Sequence, residues 1–219
     1  MREKIYVGLV HYPVYNKNSE IVSTSVTNFD IHDISRTCRT YDIKNYFIIT
    51  PLEAQKILTS RIIGFWQDGG EGAEFNKNRN EAFEKTRLMD SIEDGIKAIE
   101  EIEGVKPEII TTSAKNFINS VDYKSLSKEM YEDDKPYLLL FGTGWGLIDE
   151  VMDMSYKILN PIRGNTEYNH LSVRSAVSII LDRLFGDEWY NKKLNKIILE
   201  LLIDSSSFYF HFLNFVSDN

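Results

Sequence analysis

Tyr137-Leu138-Leu139-Leu140-Phe141, a continuous apolar run ending at Gly142, narrows the possible folds more than any other stretch of this chain. A strand with one wet face alternates polar and apolar residues. One covered on both faces is apolar throughout, as in a parallel sheet flanked by helices. Comparable short runs are Ile5–Val10, Tyr46–Ile49, Glu108–Thr112 and Tyr156–Leu159, with a weaker one near Lys85–Leu88. Helical periodicity fills the intervals. Ile31, Ile34, Cys38 and Tyr41 predict a helix over Asp30–Tyr41 with that stripe in the core. Pro51 is expected to open a helix running to about Ile63. Asp90 or Ser91 should cap Ile92–Ile102, closed by Gly104. Val173, Val177, Ile180, Leu181 and Leu184 predict a last helix, stopped by Gly186. The expected fold class is therefore α/β, a mostly parallel sheet with helices on both faces.

With 219 residues the chain can bury one sizeable core. Its single cysteine, Cys38, excludes an intrachain disulfide and metal clusters built on paired cysteines. The four histidines are scattered without ligand spacing, so no metal is expected. Ile5–Val10 is too short for a signal segment, and no stretch approaches the ~20 apolar residues of a membrane span, so a cytoplasmic protein is expected. The formal charge of -8 repels nucleic acid, and any RNA site must be a local basic patch. Gly64–Asn80, with Trp66 and Phe75, reads either as an excursion that closes over a site or as a structureless surface loop. From Ser205 onward, Phe208, Tyr209, Phe210, Phe212 and Phe215 are expected to pack on the domain or on a second subunit.

Three stretches carry residues suited to chemistry. Gly142-Thr143-Gly144-Trp145-Gly146-Leu147 follows a strand, and its glycines let backbone approach a ligand at the sheet edge where α/β proteins bind. The same pattern also fits a tight turn with Trp145 packed on the core. Asn160-Pro161-Ile162-Arg163-Gly164 and Tyr168-Asn169-His170-Leu171-Ser172 form an irregular loop before a helix that Ser172 can cap. His170 there fits a loop histidine held by hydrogen bonds as well as a functional one. On the Asp30–Tyr41 helix, His32, Arg36 and Arg39 share a polar face with Asp33. Two guanidiniums at this spacing can grip a phosphate, or can pair with Asp33 and Asp42 as a solvated face.

Taken together, the order and wording of these stretches resemble the three motifs of the SPOUT (SpoU-TrmD) superfamily of RNA methyltransferases. The closest likeness is to the bacterial stand-alone family related to tRNA (guanine-N1)-methyltransferase. Asp30–Tyr41 is similar to the first motif, Phe141–Leu147 to the glycine-rich second, and Asn160–Ala176 to the third. The resemblance covers roughly Tyr6 to Gly186. It implies a methyltransferase domain over 1–186 with a trefoil knot near its C-terminal end, followed by a helix and aromatic tail over 187–219. It also implies a homodimer with S-adenosylmethionine as cofactor and a tRNA or rRNA as substrate.

Residue by residue, the resemblance assigns Gly142, Thr143, Gly144, Gly146 and Leu147 to the cofactor turn. Ile162, Asn169, His170, Leu171 and Ser172 fall on the knot loop, and Thr112 and Ser113 on the adenosine pocket. Arg36 matches the first-motif arginine, with Asp30 or Asp33 as the expected base, and His32, Arg36 and Arg39 as the expected RNA contacts. Asp30 stands where the motif has Asn, Thr143 where it has Glu, and His170 where it has Asn. Two other readings stay open: a related domain that binds cofactor or RNA without turnover, and a different α/β enzyme whose glycine turn holds a nucleotide phosphate.

Overall fold

The computed structural model describes residues 4–67 and 69–186. Residues through Leu184 form one unit, built on a seven-stranded sheet in the order β5-β4-β1-β8-β6-β9-β7. Its members are β1 (Ile5–Val10), β4 (Asn45–Ile49), β5 (Thr86–Met89), β6 (Glu108–Thr111), β7 (Ser120–Val121), β8 (Tyr137–Gly142) and β9 (Lys157–Leu159). Every pairing between them is parallel. The six apolar segments expected from sequence are all strands. Within this sheet, the short edge strand β7 escaped the pattern. All of β1 is buried, as is β8 up to its final glycine, which explains their lack of alternation. The two strands run side by side, and a side chain on Gly8 would drive a Cβ to 2.7 Å from Leu140 Cδ2.

Eight helices, α1 (Asn28–Thr40), α2 (Glu53–Trp66), α3 (Glu71–Phe75), α4 (Lys77–Glu84), α5 (Ile92–Glu103), α6 (Tyr123–Glu132), α7 (Asp149–Asp153) and α8 (Val173–Leu181), connect the strands among the described residues. Thr27 opens α1 through a capping box with Asp30, which satisfies donors at both ends of the first turn. Ile31, Ile34 and Cys38 form its buried stripe, each apolar side chain contributing roughly 1.5–3 kcal/mol on burial. Tyr41 departs from that expectation. It lies past the helix, half-buried, and its hydroxyl donates to Asp182 Oδ1 at 2.8 Å. Ser91 caps α5, and Gly104 closes it in the left-handed region with φ 76°. Pro51 precedes α2 by two residues, and the helix outruns the expected end at Ile63 to reach Trp66. After Leu181, α8 widens into a π-helical turn over Asp182–Gly186.

One expectation is corrected, and one element appears that the sequence did not announce. Gly64–Asn80 is helical over most of its length, covering the end of α2, all of α3 and the start of α4, which Asn76 caps. Asn76 accepts from Arg79 N, and Trp66 turns inward onto His32 and Phe83, so the aromatic residue anchors the segment against α1. A hairpin of β2 (Val14–Tyr15) and β3 (Ile21–Val22), too short to show any periodicity, lies between β1 and α1. The aromatic stretch from Ser205 lies outside the described residues.

Candidate functional site

The glycine-rich turn leaves the C-terminal end of β8, a central strand. Thr112 and Ser113 leave the end of β6, and the Asn160–Ser172 loop leaves the end of β9. β8, β6 and β9 are consecutive in the sheet, so the three segments share one edge. Loops at the carboxyl ends of parallel strands are where such sheets bind ligands.

The turn is held open and rigid. Trp145 N donates to Tyr15 O, and Tyr15 N donates to Gly146 O, both at 2.9 Å, while Val14 bridges Leu147. The β2–β3 hairpin is therefore a brace behind the turn. Gly144 and Gly146 both have positive φ, 59° and 106°. A Cβ at Gly142 would come 2.7 Å from Leu147 N, whereas one at Gly146 would meet nothing within 4 Å. Gly142 closes the bend, and Gly146 borders open space. Trp145 is 64% exposed, not packed on the core, whereas Leu147 is buried.

Across β6, Thr112 N and its hydroxyl both donate to Leu140 O, fastening that strand end to β8. On the other side, Asn169 Nδ2 donates to Ala114 O at 2.7 Å. Arg163 donates to Asn116 Oδ1, and Asn160 N to Val121 O. Thr112-Ser113-Ala114 thus stands between the glycine turn and the Tyr-Asn-His-Leu-Ser segment. Ser172 caps α8 by accepting from Ser175 N. His170 is exposed and meets Tyr168 ring edge to face at 5.7 Å.

The first-motif residues part ways. Asp30 is nearly buried: its Oδ2 accepts from Thr27 N and Oγ1, and its Oδ1 lies 3.6 Å from Arg174 Nε. Asp33 Oδ2 accepts from Arg174 Nη1 at 3.1 Å. Arg174, on α8, also lies over the ring of Phe29 at 5.2 Å. Arg39 pairs with Glu81 at 3.1 Å and with Asp42 at 4.0 Å, so the solvated-face reading describes it. His32 leaves the expected shared face to pack between Phe83 and Trp66, where burial lowers its pKa. Arg36 is exposed, and among the described residues its guanidinium has no ion-pair partner.

Two site features escaped sequence reasoning. Arg174 stood inside the third stretch, but only the fold brings it to Asp30 and Asp33. His11, directly after β1, is fully buried. Its Nδ1 lies 3.0 Å from Thr24 Oγ1, which lies 2.5 Å from Thr143 Oγ1, and the latter donates to Val10 O. Burial pushes the His11 pKa down to about 4 against a smaller upward pull from Asp30. A polar residue closing a buried strand was its only signal.

At the shared edge of β8, β6 and β9, Ile162 is half-buried and Leu171 exposed, Leu147 belongs to the buried core, the Ser113 hydroxyl accepts from Lys115 N, and a Cβ at Gly146 would meet no atom within 4 Å. A separate cavity of about 880 Å³ runs along α3 and α4 and includes Glu71, Glu74, Glu81 and Glu84. Its charge disfavours nucleic acid, and none of the expected site residues lines it. Among the described residues no group of three or more acidic, His or Cys side chains can hold a metal ion, and no helix is long and apolar enough to cross a membrane.

Residues 4–186 match the family model described as SAM-dependent RNA methyltransferase. An uncharacterised protein of Aquifex aeolicus is 40% identical over 186 residues, covering 85% of this chain and 90% of that one. A tRNA (guanine-N(1)-)-methyltransferase of Oleidesulfovibrio alaskensis is 42% identical over 183 residues, 84% of this chain and 42% of that protein, so the chain spans less than half its length. Among solved structures, a probable methylase family protein from Haemophilus influenzae has a TM-score of 0.56 at 17% identity, covering 88% of this chain and 70% of that one. The SpoU methyltransferase AviRb from Streptomyces viridochromogenes, in complex with the cofactor AdoMet, has a TM-score of 0.53 at 14% identity, over 86% and 59% of the two chains. At these identities the two structures speak for the fold.

Proposed function

Since this chain belongs to the family of SAM-dependent RNA methyltransferases, we propose that it holds S-adenosylmethionine along the shared edge of β8, β6 and β9 and methylates a nucleotide of tRNA or rRNA presented at α1. The observation that carries this reading is the convergence of three sequence-distant segments on consecutive strand ends. Gly142, Thr143, Gly144, Gly146 and Leu147 form one wall, and Thr112 and Ser113 the floor. Ile162, Asn169, His170, Leu171 and Ser172 form the other wall. The division into a catalytic domain over 1–186 and a tail over 187–219, the threading of the third-motif loop into a trefoil knot, the homodimer and a cytoplasmic location all belong to this proposal.

When bound, the cofactor supplies an electrophilic methyl group on a sulfonium. What remains for the protein is alignment, and removal of a proton from the accepting nitrogen or hydroxyl. Arg36, unpaired and exposed, is suited to grip the phosphate or oxyanion of the target nucleotide. Arg39 is a further RNA contact only by exchanging Glu81 for phosphate, and His32 only by leaving its packing between Phe83 and Trp66. Asp30 is committed to the helix cap and to Arg174, which makes it a positioning group. Asp33 has one oxygen outside the Arg174 contact and is the more available base.

One observation favours a second reading, binding without turnover: both aspartates of the first motif are tied to Arg174. Transfer of labelled methyl from S-adenosylmethionine to total tRNA and rRNA separates the two, and mass spectrometry of nucleosides from a deletion strain names the product. No transfer to any RNA, with S-adenosylmethionine bound, would leave only the second reading. Binding of nucleoside triphosphate in place of S-adenosylmethionine would overturn both.

A further inference from the structure

The hydroxyl contacts behind the glycine turn can be resolved by counting protons. Val10 O can only accept and lies 2.9 Å from the Thr143 hydroxyl, so the arrangement that satisfies it assigns the single hydroxyl proton of Thr143 there. The 2.5 Å contact between Thr24 Oγ1 and Thr143 Oγ1 must then use the proton of Thr24. The other acceptor within reach of Thr24, the carbonyl of His11, lies 3.5 Å away and already takes Thr24 N at 2.9 Å. With its proton spent, Thr24 Oγ1 can only accept from the ring, so Nδ1 of His11 carries the hydrogen. Nε2 is left as a bare lone pair, wholly buried and without a hydrogen-bond partner among the described residues. A second backbone bond, His11 N to Ile49 O, ties the residue to β4. The chain therefore runs from β4 through His11 and Thr24 to Thr143, where the cofactor turn begins.

We propose that His11 is a positioning residue for methyl transfer: protonated on Nδ1, it fixes Thr143 through Thr24 and so sets the conformation in which the glycine turn receives S-adenosylmethionine. The proposal rests on the reading of residues 142–147 as a cofactor contact. A buried acceptor left unpaired is unfavourable and needs a reason. Here the reason is the donor the chain needs: only the Nδ1–H tautomer gives Thr24 Oγ1 a hydrogen while the proton of Thr24 serves Thr143. Phe cannot supply it, and a serine at position 143 preserves it.

Two measurements on the full-length chain test this. Long-range ¹H–¹⁵N correlation of the histidine rings at pH 7, without cofactor, is expected to show His11 neutral and protonated on Nδ1. An Nε2–H or doubly protonated ring would overturn the proposal with no variant needed. Calorimetry with S-adenosylmethionine is expected to give about tenfold weaker binding for His11→Phe and for Thr143→Val, as for one lost hydrogen bond. The double variant is expected to be no weaker than the worse single, and Thr143→Ser to stay within about twofold of the unmodified chain. Multiplying losses, or a Thr143→Ser variant as weak as Thr143→Val, would overturn the relay. If the unmodified chain shows the Nδ1–H tautomer but binds no S-adenosylmethionine, the cofactor reading of the turn falls, and the positioning role with it.

Discussion

Arg174 Nη1 lies 3.1 Å from Asp33 Oδ2, joining two residues 141 positions apart and clamping α8 to α1. The same guanidinium approaches nearly buried Asp30 at 3.6 Å, so one cation serves both carboxylates. Removing it leaves an uncompensated acidic pair beside a helix N-terminus. Arg174→Ala is expected to lower stability by about 1–3 kcal/mol, more than an exposed ion pair and less than a fully buried one. Arg174→Lys should recover part of this, since a point charge can serve one carboxylate but not both. Urea denaturation midpoints check the order.

Arg36 offers the opposite case. It is exposed and has no ion-pair partner among the described residues, so Arg36→Ala should change folding stability by no more than about 0.5 kcal/mol. If it grips the target nucleotide, the same variant should lose methyl transfer at least about a hundredfold while S-adenosylmethionine affinity is kept. Unchanged transfer would remove Arg36 from the RNA site.

The buried ring of His11 gives stability a pH dependence with a definite sign. Its folded pKa, about 4, lies below the ordinary 6.5. Between those values the unfolded chain binds a proton that the folded chain refuses, so stability falls as pH drops through this window, by up to roughly 1.4 kcal/mol per pH unit. Above the window the contribution is constant. His32 shifts in the same direction, so the comparison to make is His11→Phe against the unmodified chain. The variant should lose part of the slope, and equal slopes would count against a neutral buried His11.

Gly142 and Gly146 separate two reasons for a glycine. Gly142→Ala places a Cβ 2.7 Å from a backbone nitrogen, whereas Gly146→Ala meets no atom but must hold φ 106°. Both should destabilise, the second by about 1–3 kcal/mol from backbone strain alone. The added methyl at 146 should also weaken S-adenosylmethionine binding, because it enters the open face of the turn. Calorimetry alongside thermal melts tells strain from obstruction.

Much of the sheet was readable because burial on both faces writes itself as unbroken apolar runs, as in Ile5–Val10 and Tyr137–Phe141. What went unread depends on partners. β2 and β3 have two residues each, and their hairpin's hold on the turn comes through Tyr15 and Gly146. The α6 helix buries Leu126 and Met130, too few apolar positions to mark a period, though Asp122 caps it. The Gly64–Asn80 helices carry glycine and asparagine that favour turns in isolation. Tertiary packing of Trp66 on His32 and Phe83 overrides that preference. The glycine turn and the Ser172 cap were legible as local chemistry. The commitments of Asp30, Asp33 and Arg39 were not, because Arg174 reaches the aspartates from α8 and Glu81 reaches Arg39 from α4.

β9 sits between β6 and β7 although it is made after both. During synthesis the gap beside β6 has to stay unfilled until residues 157–159 leave the ribosome, and β6 itself waits for β8 to link it to β1. The edge strand β7 can join the sheet only through β9. Contacts of such long sequence separation form slowly. The sheet edge that carries the proposed cofactor site is therefore completed late, and a nascent chain halted before Lys157 would leave β6 without its outer neighbour.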